Sequence, residues 1–257
     1  MAARLSLLLC CVAAGKADLE RAIAATYVDN GLVTSHTAVV DGASIKYLQA
    51  GSLEAPKVLL FCHGAAFSAR TWQIVGALDA AASQGMAAVA IDLPGYNGSE
   101  RPRSVPREHF LGRFAEAIGV STAPDRGLLV VSASMGGTYA LPFVLSPGPY
   151  HVAGYLTAAG STAALAGQRS AVPALFLFGD QDPRLAQDRA PYESAFARSQ
   201  TIVFANAPHP CYLRDVAAAH EFVDLLLEFA GGHAVRHLDE SLKVRAAWGD
   251  KERELSL

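Results

Sequence analysis

The seven residues Val131-Ser132-Ala133-Ser134-Met135-Gly136-Gly137 have the types and spacing for nucleophilic chemistry. The apolar run Leu128 to Val131 precedes them, and Thr138-Tyr139-Ala140-Leu141-Pro142-Phe143, of helical character, follows. A buried strand that turns at a Ser between small residues and then enters a helix is a nucleophile elbow. Such a turn strains the backbone of the Ser and exposes its hydroxyl. The positions two before and two after the Ser must be small, because strand and helix backbones nearly touch there. Here they are Ser132 and Gly136, giving S-x-S-x-G in place of G-x-S-x-G. If Ser132 were the nucleophile, Val130 would fill the cramped position, so Ser134 is the choice. Taken alone, the stretch also reads as a small-residue helix start capped by Ser.

A serine hydroxyl attacks a carbonyl only when a base takes its proton and a carboxylate holds that base. On an elbow of this kind the acid and then the histidine follow the serine in the chain. After the apolar run Ala174 to Phe178 comes Gly179-Asp180-Gln181-Asp182-Pro183, and after Thr201 to Phe204 comes Ala205-Asn206-Ala207-Pro208-His209-Pro210. Both loops leave the carboxyl ends of strands, the edge where open α/β sheets form their sites. Asp182 is the expected acid, because it lies further from its strand end; Asp180 is assigned to capping the turn. His209 is the expected base. Two backbone N–H groups must also face the developing oxyanion. Met135, after the nucleophile, and Ala65, after the turn His63-Gly64, are assigned to that task. His63 is read as a structural loop histidine. His36, His109, His151, His220, His233 and His237 lie on surface-type segments or far from strand ends and receive no role.

The elements that must position these residues follow from apolar patterning. His36 to Val40 and Ser44 to Gln49 are strand-like and joined by Asp41-Gly42, a two-residue hairpin signal. Lys57 to Cys62 is a continuous apolar run that predicts a strand buried on both faces. Helical spacing covers Thr71 to Ser83, closed by Gly85, and His109 to Ile118; Leu213 to Phe229 predicts a long terminal helix. Met86 to Ile91, Leu128 to Val131, Val152 to Leu156, Ala174 to Phe178 and Thr201 to Phe204 predict further strands. The alternation implies an α/β fold: a mostly parallel sheet with helices on both faces and an opening antiparallel hairpin. Gly95-Tyr96-Asn97-Gly98-Ser99 reads as a surface turn and lacks the Lys of a phosphate loop. Asp18 to Tyr27 suits a short surface helix.

With 257 residues, 51% of them hydrophobic, the chain is long enough for one large domain. A net charge of −3 gives no electrostatic case for nucleic acid. Cys10, Cys11, Cys62 and Cys211 contain no C-x-x-C pair, so neither a zinc site nor a redox pair is indicated; Cys62 and Cys211 are read as free, half-buried thiols near the site, with a disulfide between them as the alternative. No P-loop, H-E-x-x-H or dinucleotide fingerprint stands in a suitable context, so no cofactor and no metal are expected. Residues 1–17 open with Met1-Ala2-Ala3-Arg4, a short positive start, followed by the apolar run Leu5 to Ala14, the pattern of a signal peptide or N-terminal anchor. That pattern implies the secretory pathway or a membrane surface; a bipartite plastid leader or an apolar helix of a cytoplasmic or organellar protein is the alternative. Residues 18–230 form the expected domain. The charged stretch 231–257 reads as a loosely ordered extension.

Assembled, these residues resemble the α/β-hydrolase superfamily from about Val58 to Phe229, and within it the small proteins called α/β-hydrolase domain-containing protein 14. The resemblance rests on His63-Gly64-Ala65-Ala66-Phe67-Ser68, Thr71-Trp72-Gln73, Ala88 to Gly95, Ser132 to Met135, Tyr139 to Phe143, Gly179 to Pro183 and His209-Pro210-Cys211-Tyr212-Leu213. It implies the triad Ser134, Asp182 and His209 and hydrolysis of small acyl esters, with an acyltransferase or deacylase as alternative. The chain departs from the pattern at Gly98, one place later than usual, and at Ala207-Pro208, where a Gly is common before the histidine. Only Thr157 to Pro173 separates the two strands between which large lids are usually inserted, so a minimal lid and a short acyl group are expected. A monomer acting on an acyl ester or acylated substrate, with a protein partner as a further possibility, completes the reading. A non-catalytic interaction protein on the same fold is the rival from another class. Dehalogenase and epoxide hydrolase chemistry would need Asp where Ser134 stands.

Overall fold

Among the described residues, six of the eight strands run parallel because the five connections that join them are long enough to cross back over the sheet. The computed structural model describes residues 20–165 and 167–232. The leader 1–17 and most of the extension 231–257 lie outside the described residues. Among the described residues no helix is long and apolar enough to cross a membrane.

The chain opens with β1 (Val33–Val40) and β2 (Ala43–Ala50), paired antiparallel around Asp41 and Gly42, both at positive φ. These φ values are what a two-residue hairpin turn requires, so the dipeptide signal was sufficient. β3 (Lys57–Cys62), β4 (Ala87–Ile91), β5 (Gly127–Ala133), β6 (Val152–Ala158), β7 (Ala174–Gly179) and β8 (Ser199–Phe204) follow. The strand order is β1-β2-β4-β3-β5-β6-β7-β8, with β2 antiparallel to β4 and all later pairs parallel. The chain runs outward from β3 to β4 and then crosses back to β5 on the other side of β3. That reversal opens a crevice at the carboxyl ends of β3 and β5, the place where ligands bind on such sheets.

Alternate residues of each strand feed two cores. Val58, Leu60 and Cys62 face a core shared with α3 (Arg107–Ala117), α4 (Gly137–Leu145) and α5 (Leu185–Ala195). Leu59 and Phe61 face the other, against α1 (Ala69–Ile74), α2 (Ala77–Ser83) and α6 (Val216–Ala230). Trp72 is fully buried there, stacked on Tyr212 with ring centroids 5.2 Å apart.

The structure corrects several sequence expectations. The helix expected over Thr71 to Ser83 is two helices, because Gly76 sits at φ 80° and breaks the run. The terminal helix begins at Val216, where the Asp215 carboxylate caps it by accepting the Ala218 N–H at 2.8 Å. Cys211–Leu213 forms a separate single turn before it. Of the segment expected as a surface helix only residues 20–24 are helical within the described part, and Ile23 is buried. The turn Gly95 to Ser99 is not purely a surface feature. Ser99 is buried, and its hydroxyl accepts the Lys46 N–H of β2 at 2.9 Å. Between β6 and β7 the described residues form no helix, so among them no helical lid is inserted at that edge.

Candidate active site

β5 delivers Ser134 at its carboxyl end with φ 45°, a left-handed conformation that is strained for any residue but Gly. The strain is maintained because the elbow is clamped on both sides. A Cβ at Gly136 would fall inside the Cys62 carbonyl oxygen and 2.8 Å from that of His63, so only glycine lets α4 start against the end of β3. Gly136→Ala is therefore expected to destabilise the protein by about 1–3 kcal/mol or more, as backbone atoms cannot rotate away; a lowered denaturation midpoint checks this. Ser132, the competing hydroxyl, is fully buried and hydrogen-bonded to Tyr155 at 3.0 Å and Thr157 at 2.8 Å. It faces the core, away from any substrate.

The acid and histidine loops are laced together before their side chains meet. A Cβ at Gly179 would strike the carbonyl oxygens of Ala207 and Pro208, so the glycine ending β7 lets the two loops touch. The Gln181 N–H donates to the Ala207 carbonyl at 3.0 Å, and the Asp180 carboxylate accepts the Ala207 N–H at 3.1 Å. Asp180 thus ties the histidine loop in place, a more specific role than the turn cap assigned from sequence.

Asp182 is buried, and its Oδ2 lies 2.6 Å from His209 Nδ1. Its Oδ1 accepts the Arg184 N–H at 2.9 Å. A carboxylate can only accept, so Nδ1 carries the proton. Nε2 of the neutral ring is then an acceptor, and the Ser134 hydroxyl donates to it at 2.8 Å. The His209 side chain is 31% exposed against 1% for Asp182. The ring therefore meets solvent on one edge and a desolvated carboxylate on the other. The three residues singled out in the sequence are brought into one hydrogen-bonded chain.

The two turns that carry the expected oxyanion donors, Ala65 and Met135, adjoin Ser134. Gly64 packs on the elbow, where an added Cβ would lie 3.5 Å from the Ser134 Cβ, so the exposed turn at Ala65 begins next to that residue. Met135 follows Ser134 in the turn that leads into α4. His63 is fully buried and satisfied at both nitrogens: Nδ1 donates to the Gly64 carbonyl at 2.8 Å and Nε2 accepts the Leu93 N–H at 3.0 Å. That pairing requires the neutral ring and pins the Ala65 turn to the loop after β4, in keeping with a structural role.

Cys62 and Cys211 are free, but both are fully buried and face opposite cores, which corrects the half-buried placement. Burial pushes the Cys211 thiol from 9.0 up to about 12 and raises Cys62 as well. The unfolded chain then loses protons that the folded chain keeps, so this contribution to stability is full below about pH 9 and is lost toward pH 12. Denaturation midpoints are expected to fall over that window, and less steeply for Cys211→Ala. Iodoacetamide at about pH 8 is expected to modify neither thiol until the protein is unfolded.

Comparison with known proteins agrees with this architecture. Residues 59–253 match the model of the alpha/beta hydrolase family. A human protein named "Putative protein-lysine deacylase ABHD14B" is 34% identical over 188 residues, which cover 69% of this chain and 87% of that protein. "Protein ABHD14A" of Danio rerio is 33% identical over 66% of this chain and 63% of its own length. Among solved structures, a "predicted CIB-like hydrolase" from Thermoplasma acidophilum shares the fold with a TM-score of 0.68 at 19% identity, covering 78% of this chain and 98% of that one. With fold, site geometry and family model in agreement, the chain belongs to the alpha/beta hydrolase family and is a hydrolase similar to the ABHD14 proteins.

Proposed function

We propose that this protein is a serine hydrolase that cleaves small acyl groups through the triad Ser134, His209 and Asp182. The observation that carries the reading is the continuous chain of 2.6 and 2.8 Å contacts ending on a serine held at φ 45°. The Ser134 oxygen attacks the acyl carbonyl while His209 Nε2 takes its proton, and buried Asp182 stabilises the imidazolium. The N–H groups of Ala65 and Met135 hold the oxyanion. His209 then protonates the leaving oxygen or nitrogen, and the acyl group stays on Ser134. Water, losing a proton to His209, attacks that ester, and collapse of the second tetrahedral intermediate returns the proton to Ser134.

Two features support a short acyl group. The described residues between β6 and β7 form no lid helix, and the histidine edge is open to solvent. kcat/KM for nitrophenyl esters is expected to be highest for acetyl to butyryl; a tenfold or greater preference for long chains contradicts this part. A second reading, removal of an acyl group from a lysine side chain, is favoured by the name of the human relative. It uses the same residues with a nitrogen leaving group. The experiment is hydrolysis of nitrophenyl acetate beside labelling by a fluorophosphonate. Turnover and labelling that both vanish in Ser134→Ala support the proposal. A folded wild-type protein that does neither favours a non-catalytic binding role.

A further inference from the structure

Beside the elbow lies a cavity of about 250 Å³ whose lining includes Met135, the residue after the nucleophile. Two arginines, Arg101 and Arg107, line it together with Tyr96 and Tyr139, and among the described residues no acidic one does. Each guanidinium has a built seat. Arg101 lies against Gly95, where the φ of 85° suits glycine and a Cβ would collide with the guanidinium. Arg107 lies over the Tyr139 ring, 5.1 Å from its centroid, and reaches the Thr138 hydroxyl at 3.4 Å.

The acids nearest in sequence are engaged elsewhere. The Glu100 carboxylate accepts the Ser44 N–H at 2.7 Å, and Glu108 lines a different depression with His109 and Arg113. Both cations are felt at one oxygen: burial pushes the Tyr139 phenol up, and Arg107 and Arg101 pull it back. Both arginines are exposed at the rim of the cavity, so their permanent charges and N–H donors are open to an anion arriving from solvent. Ser134 and His209 are not in its lining, but Met135, next to the nucleophile in sequence, is, so a substrate held at Ser134 has a path into it.

We infer that this cavity is the subsite for an anionic group, a carboxylate or phosphate, carried by the substrate, with Arg101 and Arg107 as the residues that select it. The inference rests on the serine-hydrolase reading and names the substrate class for that site. A planar guanidinium pair suits such oxoanions, and the Tyr139 hydroxyl adds a donor, whereas that of Tyr96 donates to Met135 Sδ at 3.0 Å. The anion sits either on the acyl arm or on the leaving arm of the substrate.

The test measures kcat/KM of the full chain for two matched pairs. para-Nitrophenyl hydrogen adipate against its methyl ester places the charge on the acyl arm. para-Acetoxybenzoate against its methyl ester places it on the leaving arm. The expected result is a preference of about tenfold or more for the charged member of one pair, shrinking as salt is raised. Arg101→Gln with Arg107→Gln brings that ratio close to one, whereas the double Lys variant keeps part of it. Arg103→Gln, the same charge loss in the same loop but outside the cavity lining, keeps the wild-type ratio. Wild-type ratios near one in both pairs, with all four esters cleaved, overturn the inference and leave the triad standing. A preference that survives the double Gln variant overturns it too. No turnover of any ester and no label on Ser134 bring down the triad reading and this inference together.

Discussion

Ser134→Ala is expected to lower kcat by about 10⁶-fold while leaving a folded protein. The serine is the only atom source for the acyl-enzyme in the proposed mechanism, so its loss leaves the oxyanion donors and substrate binding alone. Those account for a residual rate above that of water. The folded state tolerates the change because the Ser134 hydroxyl donates only to His209 and is not part of either core. Alanine does inherit the φ of 45°, so no large gain in stability is expected. Activity on nitrophenyl acetate, with circular dichroism as the control for folding, checks this. Retained turnover would move the nucleophile elsewhere.

Asp182→Asn is expected to lower kcat by about 10⁴-fold, with KM changed much less. The carboxylate makes two contacts, accepting from His209 Nδ1 at 2.6 Å and from the Arg184 N–H at 2.9 Å. An amide cannot accept at both places. If its NH₂ faces His209, Nδ1 must give up its proton and Nε2 must carry one, so the nitrogen facing Ser134 can no longer act as base. If its NH₂ faces Arg184, two donors oppose each other in a buried site and the loop shifts. Either outcome removes the general base or its orientation, and the site is desolvated enough for the loss to be large. Single-turnover measurement of acylation is the direct check. A loss below tenfold would assign the acid role to another group, and Asp180 is the candidate to test next.

How much of this was legible in the sequence depends on how local each cause is. The elbow, the hairpin at Asp41-Gly42 and the strand Lys57–Cys62 are short patterns whose physics lies within the pattern itself, and they stand where expected. The acid and histidine were legible because each follows an apolar strand run, and parallel strands bring their carboxyl ends to one edge. Gly76 was a readable signal that helical spacing overrode: the apolar residues Trp72, Ile74, Val75 and Leu78 of that stretch are all buried, but on two helices and the cap between them instead of one helix. The Asp215 cap was likewise present in the sequence, masked by the apolar residues before it.

Other features had no local signature. The Asp180 contact to Ala207 spans 27 residues, and that of Ser99 to Lys46 spans 53. The satisfied ring of His63 depends on Leu93, which only the pairing of β3 with β4 brings near. The cavity with Arg101 and Arg107 joins a loop, α3, α4 and the elbow, so nothing in the sequence shows that these two exposed arginines share one depression.

The central claim is that Ser134 carries the acyl group, and the most direct test is to trap it. Wild-type protein mixed with nitrophenyl acetate is quenched in acid within the first turnover, digested and mapped by mass spectrometry. The account predicts one acetyl group on the peptide containing Ser134, located on that residue and absent from the Ser134→Ala protein. Acetyl found instead on a lysine or on Ser132, or turnover with no acetyl on Ser134 at any quench time, would contradict it.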